Sequence, residues 1–263
     1  GTVMKPIKTV YYSDELNDDF AGTDIPTQKV DGRLKYVNHN PVWNFFAFLL
    51  YYLIALPIVY SVAKIRFGLK IKNRKNLRLA RKTGYFLYGN HTQAVDSVTP
   101  AILAAPKKAY LIADPDAVSI KGLKNIVLML GAIPVPDTLG GMKLFMSTVE
   151  KRIRQKRVVA IYPEAHIWPY YKGIRPFPST SFRYPLKLNV PSFAMVTTYR
   201  KRKGHRKPGM TLTISEPFYA NKNLGFKEAQ EDLRDRIFAF MKSVSDNPAN
   251  VEYIHYEYRA KKL

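Results

Sequence analysis

Short, mostly apolar runs alternate with longer segments of helical period over most of this chain. The runs 69–71, 85–88, 109–112, 132–135, 158–161, 193–197 and 211–214 are brief and bounded by Gly, Pro or polar residues, which predicts strands. Segments 121–130, 142–156 and 226–244 carry helical spacing; in the last, Ala229, Leu233, Ile237, Phe240 and Val244 lie on or near one stripe. This alternation predicts an α/β domain, a mostly parallel or mixed central sheet flanked by helices, with functional side chains gathered at strand ends. No internal repeat interrupts it.

Ahead of that domain lies a different pattern. Residues 42–62 are apolar or aromatic, with only Asn44 and Ser61 as strongly polar interruptions besides the tyrosine hydroxyls, enough to enter or cross a bilayer. Trp43, Tyr51, Tyr52 and Tyr60 suit an interface. Pro57 removes a backbone donor, so a single kinked helix and a hairpin of two short helices are both open. Three parts follow: a polar arm over 1–40, a membrane-embedded helix or hairpin over 41–66, and a catalytic domain over 67–263. The acidic stretch 13–27 reads as a loosely ordered arm or lid.

Charge adds a partner to this picture. Lys and Arg number 42 against 20 Asp and Glu, a formal net charge of +22. Nine of those cations, and no acid, fall between Lys64 and Lys82, directly after the apolar segment. The expected partner is therefore a membrane with anionic lipid, the cationic run facing the cytoplasm at the cell membrane. The basic run 200–207 lacks interleaved aromatics and sits between two predicted strands. It is expected to be a hairpin tip meeting headgroups or an acidic carrier protein, not nucleic acid.

The candidate chemistry begins at Tyr88-Gly89-Asn90-His91-Thr92-Gln93-Ala94-Val95-Asp96. Imidazole titrates nearest neutrality and can take a hydroxyl proton, while a carboxylate on its other nitrogen fixes the tautomer. On a continuous helix five residues subtend about 500°, so His91 and Asp96 can meet only across a bend. Gly89-Asn90 supplies one, and Asp96-Ser97 is expected to cap a helix running through Pro100 to Ala104. A second strand, 158–161, ends in Tyr162-Pro163-Glu164, again polar chemistry at a strand's carboxyl end.

Taken in order, these blocks resemble those of the glycerolipid acyltransferases of the 1-acylglycerol-3-phosphate type. His91 to Asp96 is similar to the family's His-x4-Asp and Gly131-Ala132-Ile133-Pro134-Val135 to the start of its second block. Tyr162-Pro163-Glu164 is similar to the Phe-Pro-Glu that opens the third, and Val190-Pro191-Ser192-Phe193-Ala194-Met195-Val196 to the fourth. The resemblance spans about Leu69 to Ile214. It implies an α/β fold and acyl transfer to a lysophospholipid or related glycerolipid hydroxyl. The donor would be acyl-CoA or acyl carrier protein as co-substrate, with no other cofactor. His91 would be the base, Asp96 its orienting partner, and Glu164 an acceptor-binding or site-bracing acid.

Two departures bear on the acceptor. The third block usually continues Glu-Gly-Thr-Arg-Ser, whereas here it reads Glu164-Ala165-His166-Ile167-Trp168; the second usually reaches an arginine, whereas here Pro136-Asp137 stands. An anion clamped by those arginines in relatives must find other cations, and Lys143, Lys172 and Arg175 are nearest in sequence. His166 is expected in the pocket or on the acceptor. Two alternatives remain at this stage. One is a metal-dependent membrane ester hydrolase using His91, Asp96, Glu164 and His166 as ligands; the other is a non-catalytic basic protein that binds anionic lipid.

Overall fold

The computed structural model describes residues 4–22, 30 and 33–262. Strand β1 (Lys8–Tyr12) precedes helix α1 (Pro41–Phe48), a π-helical stretch (Leu49–Ala55) and helix α2 (Leu56–Ile65). Then come β2 (Lys70–Lys72), β3 (Tyr85–Gly89), α3 (Thr99–Ala104), β4 (Ala109–Ala113), α4 (Lys124–Met129), β5 (Ala132–Pro134), α5 (Leu139–Arg154) and β6 (Val158–Ile161). The chain closes with α6 (Arg183–Leu188), β7 (Ser192–Arg200), β8 (Gly209–Ile214), α7 (Phe226–Ser245) and β9 (Ile254–Tyr258). It is the mixed α/β architecture that the apolar pattern implies.

Seven strands make one sheet in the order β2-β8-β7-β3-β6-β4-β5, every neighbouring pair parallel except the β7–β8 hairpin. Successive side chains of β3 enter different cores. Phe86 and Tyr88 pack with Phe145 and Val149 of α5 and Leu233 and Ile237 of α7. Tyr85 and Leu87 pack with Ala63 of α2 and Ile102 and Leu103 of α3. With both faces covered, the central strands need apolar residues at every position, which is why their runs are continuous. All parallel central strands point the same way, so their carboxyl ends form a common edge. Helix α4 starts later than its pattern suggests, because Gly122 turns the chain out of helix at φ +84°.

Helices α1 and α2 form one uninterrupted helix from Pro41 to Ile65, and the hairpin alternative is not what the chain adopts. The physical reason lies just before Pro57. There the π-helical turn widens the backbone ladder and absorbs the missing N–H, so the helix continues. Along one stripe of it Ala47, Tyr51 and Ala63 are buried against the domain, and Ala55 and Val59 between them are half-buried. The Tyr51 hydroxyl accepts from the Ala109 N–H at 2.9 Å, and Tyr52 donates to the Pro106 carbonyl at 2.7 Å. Its other side exposes Phe45, Phe46, Phe48, Leu53, Ile54 and Ile58, and only 11% of its most apolar window is buried. A soluble core helix would be mostly covered. This one is long and apolar enough to cross a membrane and presents a greasy outer face.

The basic run forms the β7–β8 hairpin tip, but not all of it is free for headgroups. Arg202 turns back to donate to the carbonyls of Ile65 and Arg66 at the end of α2, and Arg200 to that of Gly68. Lys201 and Lys203 remain exposed.

A second, two-stranded parallel sheet pairs β1 with β9 in the register Lys8↔Ile254 to Tyr12↔Tyr258. Its first strand lies within the segment expected to be a polar arm. The part of 13–27 that lies in the described residues is not loose. Residues 13–20 make an Asp18-anchored turn, and Phe20 N–H bonds the Ile167 carbonyl; residues 23–27 fall outside the described residues.

Candidate active site

Strand β3 ends at Gly89, and Asn90 continues its ladder with a side chain. Its amide accepts from Thr197 N–H at 2.8 Å and donates to the Thr197 carbonyl at 3.0 Å, replacing the next backbone pair with β7. The main chain is thereby released to turn, and His91 leaves the sheet edge. A 3-10 turn (Ala94–Ser97) follows, with Gln93 as its N-cap and Asp96 at the third position, its carboxylate reaching back over the turn. Asp96 therefore caps this turn instead of α3. One oxygen, Oδ2, accepts from Thr92 N–H at 2.7 Å, from Gln93 N–H at 2.9 Å, and meets His91 Nδ1 at 3.2 Å. The bend thus brings together two residues that a helix would keep apart.

A carboxylate can only accept, so the Asp96 contact puts the proton on Nδ1 and leaves Nε2 with a lone pair. Asp96 is 1% exposed and His91 12%, so the carboxylate is sealed while the imidazole reaches the surface. Tyr162 stacks on the imidazole at 4.6 Å and 19°, and its hydroxyl donates to the Asp96 carbonyl. Burial, then the negative Asp96, hold that phenol well above its ordinary pKa, so it stays a neutral donor. Thr92 shares a hydrogen bond with Tyr199 at 2.7 Å. The His91 ring is thus fixed in plane and in tautomer.

Gly89 is required by this stack. A Cβ there would lie 2.7 Å from a Tyr162 ring carbon and 2.9 Å from the Met195 methyl. Gly89→Ala is expected to push Tyr162 off His91 and to reduce turnover roughly 10- to 100-fold, as small misplacements of catalytic groups do. Steady-state kinetics beside a melting curve checks this. Unchanged turnover in a folded variant would show that the stack does not position the imidazole.

Glu164 sits where β6 ends, 4% exposed, and braces two loops at once. Its Oε1 accepts from His91 N–H at 2.8 Å and its Oε2 from Arg175 N–H at 2.6 Å. Burial raises its pKa, opposed by Arg175 and by those two N–H donors. Each oxygen accepts one backbone N–H, so Glu164 holds the main chain at both His91 and Arg175. The next residue, Ala165, stands at φ +67°, the left-handed region that favours glycine, at the position where the family's third block carries Gly.

The remaining sequence candidates fall in different places. Arg175 is 1% exposed and lies over the Trp168 ring at 4.8 Å; it donates to the carbonyls of Glu15 and His166. It braces the loop through its two terminal nitrogens, while its buried Nε has no hydrogen-bond partner. Lys172 lies in a crevice with Glu252 and His255, its carbonyl held by Asn250, and Lys143 is exposed on α5. His166 bonds Asp19 of the N-terminal arm at 3.0 Å. Among the described residues no group of three or more His, Cys, Asp or Glu side chains is placed to hold a metal ion, and the proposed four-ligand set does not converge.

The sequence reading missed several neighbours. Asp114, at the end of β4, has its pKa raised by burial while the nearby imidazoles of His166 and His91 pull it down. Together with Asp19 it makes this rim of the site acidic. The positions where relatives carry arginine are docking points for the chain's own arm. Asp137 N–H donates to the Val30 carbonyl and its carboxylate accepts the Val30 N–H, and the Ile167 carbonyl accepts from Phe20 N–H. Trp168, fully buried, donates to the Asp18 carbonyl at 2.7 Å and is packed by Tyr12, Phe20, Tyr171 and Tyr256. These contacts span most of the chain's length, and only the unusual His166-Ile167-Trp168 hinted at them.

A histidine with a buried carboxylate on one nitrogen and a lone pair on the other, set at the carboxyl ends of parallel strands, is the arrangement of an α/β enzyme that can deprotonate a hydroxyl. Residues 69–198 match the acyltransferase family. The chain's fold is shared with the 1-acyl-sn-glycerophosphate (LPA) acyltransferase PlsC of Thermotoga maritima, whose crystal structure superposes with a TM-score of 0.54 at 14% identity, covering 78% of this chain and 88% of that one. A comparison with curated proteins finds no match.

Proposed function

We propose that this protein is a membrane-associated O-acyltransferase. It moves a fatty acyl group from acyl-CoA or acyl carrier protein to a hydroxyl of a lysolipid whose headgroup is not a phosphate monoester. The observation that carries the reading is the His91–Asp96 pair, locked by the Asp96-capped turn and the Tyr162 stack. His91 Nε2 takes the acceptor proton as the oxygen bonds to the thioester carbonyl carbon. The C–S bond then breaks, and the proton passes to the departing thiolate. The chain has no cysteine, and a thioester is already activated, so direct attack in a ternary complex needs no acyl-enzyme. The exposed face of the helix Pro41–Ile65 lies in the cell membrane, and the cationic run that follows it sets the catalytic domain on the cytoplasmic side.

Acceptor choice follows from the rim. Relatives' arginines are replaced by arm contacts, Arg175 is buried, and Asp19 and Asp114 lie near the imidazoles. A charge-assisted hydrogen bond contributes about 1.5–3 kcal/mol, so each missing clamp lowers affinity for a phosphate monoester by roughly one to two decades. Rates with purified protein across a panel of lysolipids are expected to favour glycerol or other uncharged headgroups at least about tenfold in kcat/KM over lysophosphatidic acid. A clear preference for lysophosphatidic acid would overturn that assignment and leave acyl transfer standing.

A further inference from the structure

At the opposite edge of the sheet, where β4 and β6 begin, three cations surround one phenol. Lys108 Nζ lies 5.1 Å from the Tyr110 ring centre, the Arg152 guanidinium 4.6 Å and that of Arg157 5.8 Å, and Arg157 also donates to the Tyr110 hydroxyl. They open on a cavity of about 420 Å³ whose wall continues with Lys151, His39, Gln155 and Thr148. None of its described lining residues is acidic. Cation–π contact stabilises such a group but does not neutralise it. Arg152 Nε is buried and has no hydrogen-bond partner, a donor left open in the wall.

The like charges act on one another. The Lys108 ammonium is pulled down to about 7, first by burial and then by Arg157 and Arg152. An anion in the cavity would reverse that, since it rewards the charged form and takes the unused Arg152 donor. The source of the anion is indicated by the other wall. Trp43, Asn44, Ala47, Phe48, Tyr51 and Tyr52 of the apolar helix close the cavity, and Phe45, Phe46 and Phe48 are exposed beside it. A phosphate reaching this cavity meets a greasy helix face at once, as the headgroup of a membrane lipid does.

We propose that Lys108, Arg152 and Arg157 form a second anion site, remote from His91, that holds the phosphate of an anionic membrane lipid whose chains lie along the exposed face of the helix Pro41–Ile65. Strand β6 separates the two sites by its four residues, Val158 to Ile161, or about 13 Å at 3.3 Å per residue. The site does not depend on the acyl-transfer reading, and its occupant is held as a positioning lipid, not as a substrate.

Trp43 lines the cavity while Trp168, the other tryptophan, is fully buried, so quenching reports on this place. The full chain is placed in phosphatidylcholine nanodiscs with a minority of phosphatidic acid bearing brominated chains, and Trp43 fluorescence is titrated. Saturable quenching is expected, with apparent affinity lowered about 10- to 100-fold by Lys108→Met and by Arg152→Gln. Partial recovery is expected in Arg152→Lys. A hairpin variant that removes two charges, Lys201→Gln with Lys203→Gln, should leave it unchanged. Melting temperatures confirm folding, and Arg152→Gln serves if Lys108→Met proves unstable. Equal quenching by brominated phosphatidylcholine overturns the site, as does an equal loss in the hairpin variant. Complete displacement by inorganic phosphate at matched concentration overturns the lipid as its occupant.

Discussion

Replacing His91 with alanine is expected to lower kcat for acyl transfer by about 10²- to 10⁴-fold, the usual contribution of a positioned general base, with KM for the acyl donor nearly unchanged. The melting temperature should stay within a few degrees. His91 is partly exposed, and the Asp96 carboxylate keeps its two backbone N–H donors after the ring is gone. Equal activity in the two proteins would remove His91 from the mechanism. Asp96→Asn should resemble it in kcat, since an amide can donate to Nδ1 and so favour the wrong tautomer.

Glu164→Ala is expected to be the most disruptive single change to the fold around the site. It strands two buried N–H groups, those of His91 and Arg175, each costing about 1–3 kcal/mol, and leaves the buried Arg175 charge without its carboxylate. A loss of roughly 3–5 kcal/mol follows, which for a chain of this size lowers the melting temperature by about 6–20 °C. Thermal denaturation checks it. Activity should fall even where the variant is folded, because the His91 backbone has lost its anchor. Glu164→Gln keeps an acceptor for one of the two N–H groups and is expected to be intermediate. If Glu164→Ala melts like the wild type, the carboxylate is not the brace described.

The sheet was legible because burial on both faces forces unbroken apolar runs. Strands β3 to β7 coincide with such runs to within a few residues at their ends, whereas the edge strand β2, Lys70-Ile71-Lys72, and β8, with Thr211 and Thr213, show only broken ones. The His91–Asp96 encounter was legible for a different reason. The turn residues Gly89-Asn90 and the geometric impossibility of a shared helical face together demanded a bend. What escaped was everything decided by partners far along the chain. β1 and β9 are short, mostly exposed strands whose pairing joins segments far apart in the sequence, Lys8–Tyr12 and Ile254–Tyr258. Asp137 and Ile167 look like lost cations until the N-terminal arm is seen bonded to them. Helix α6 begins Arg183-Tyr184-Pro185, and a proline in so short a segment masks its period. Lys108, Arg152 and Arg157 are ordinary members of a basic chain, and only the fold sets them around Tyr110.

The pairing of β1 with β9 makes one wall of the site a joint of two pieces. Trp168 is gripped by Tyr12 and Phe20 of the arm and by Tyr256 of β9, and Tyr12 also meets Tyr258. The loop that carries Glu164, His166 and Arg175 is therefore backed by two segments far apart in the chain, and a proteolytic cut that frees either one removes part of that backing.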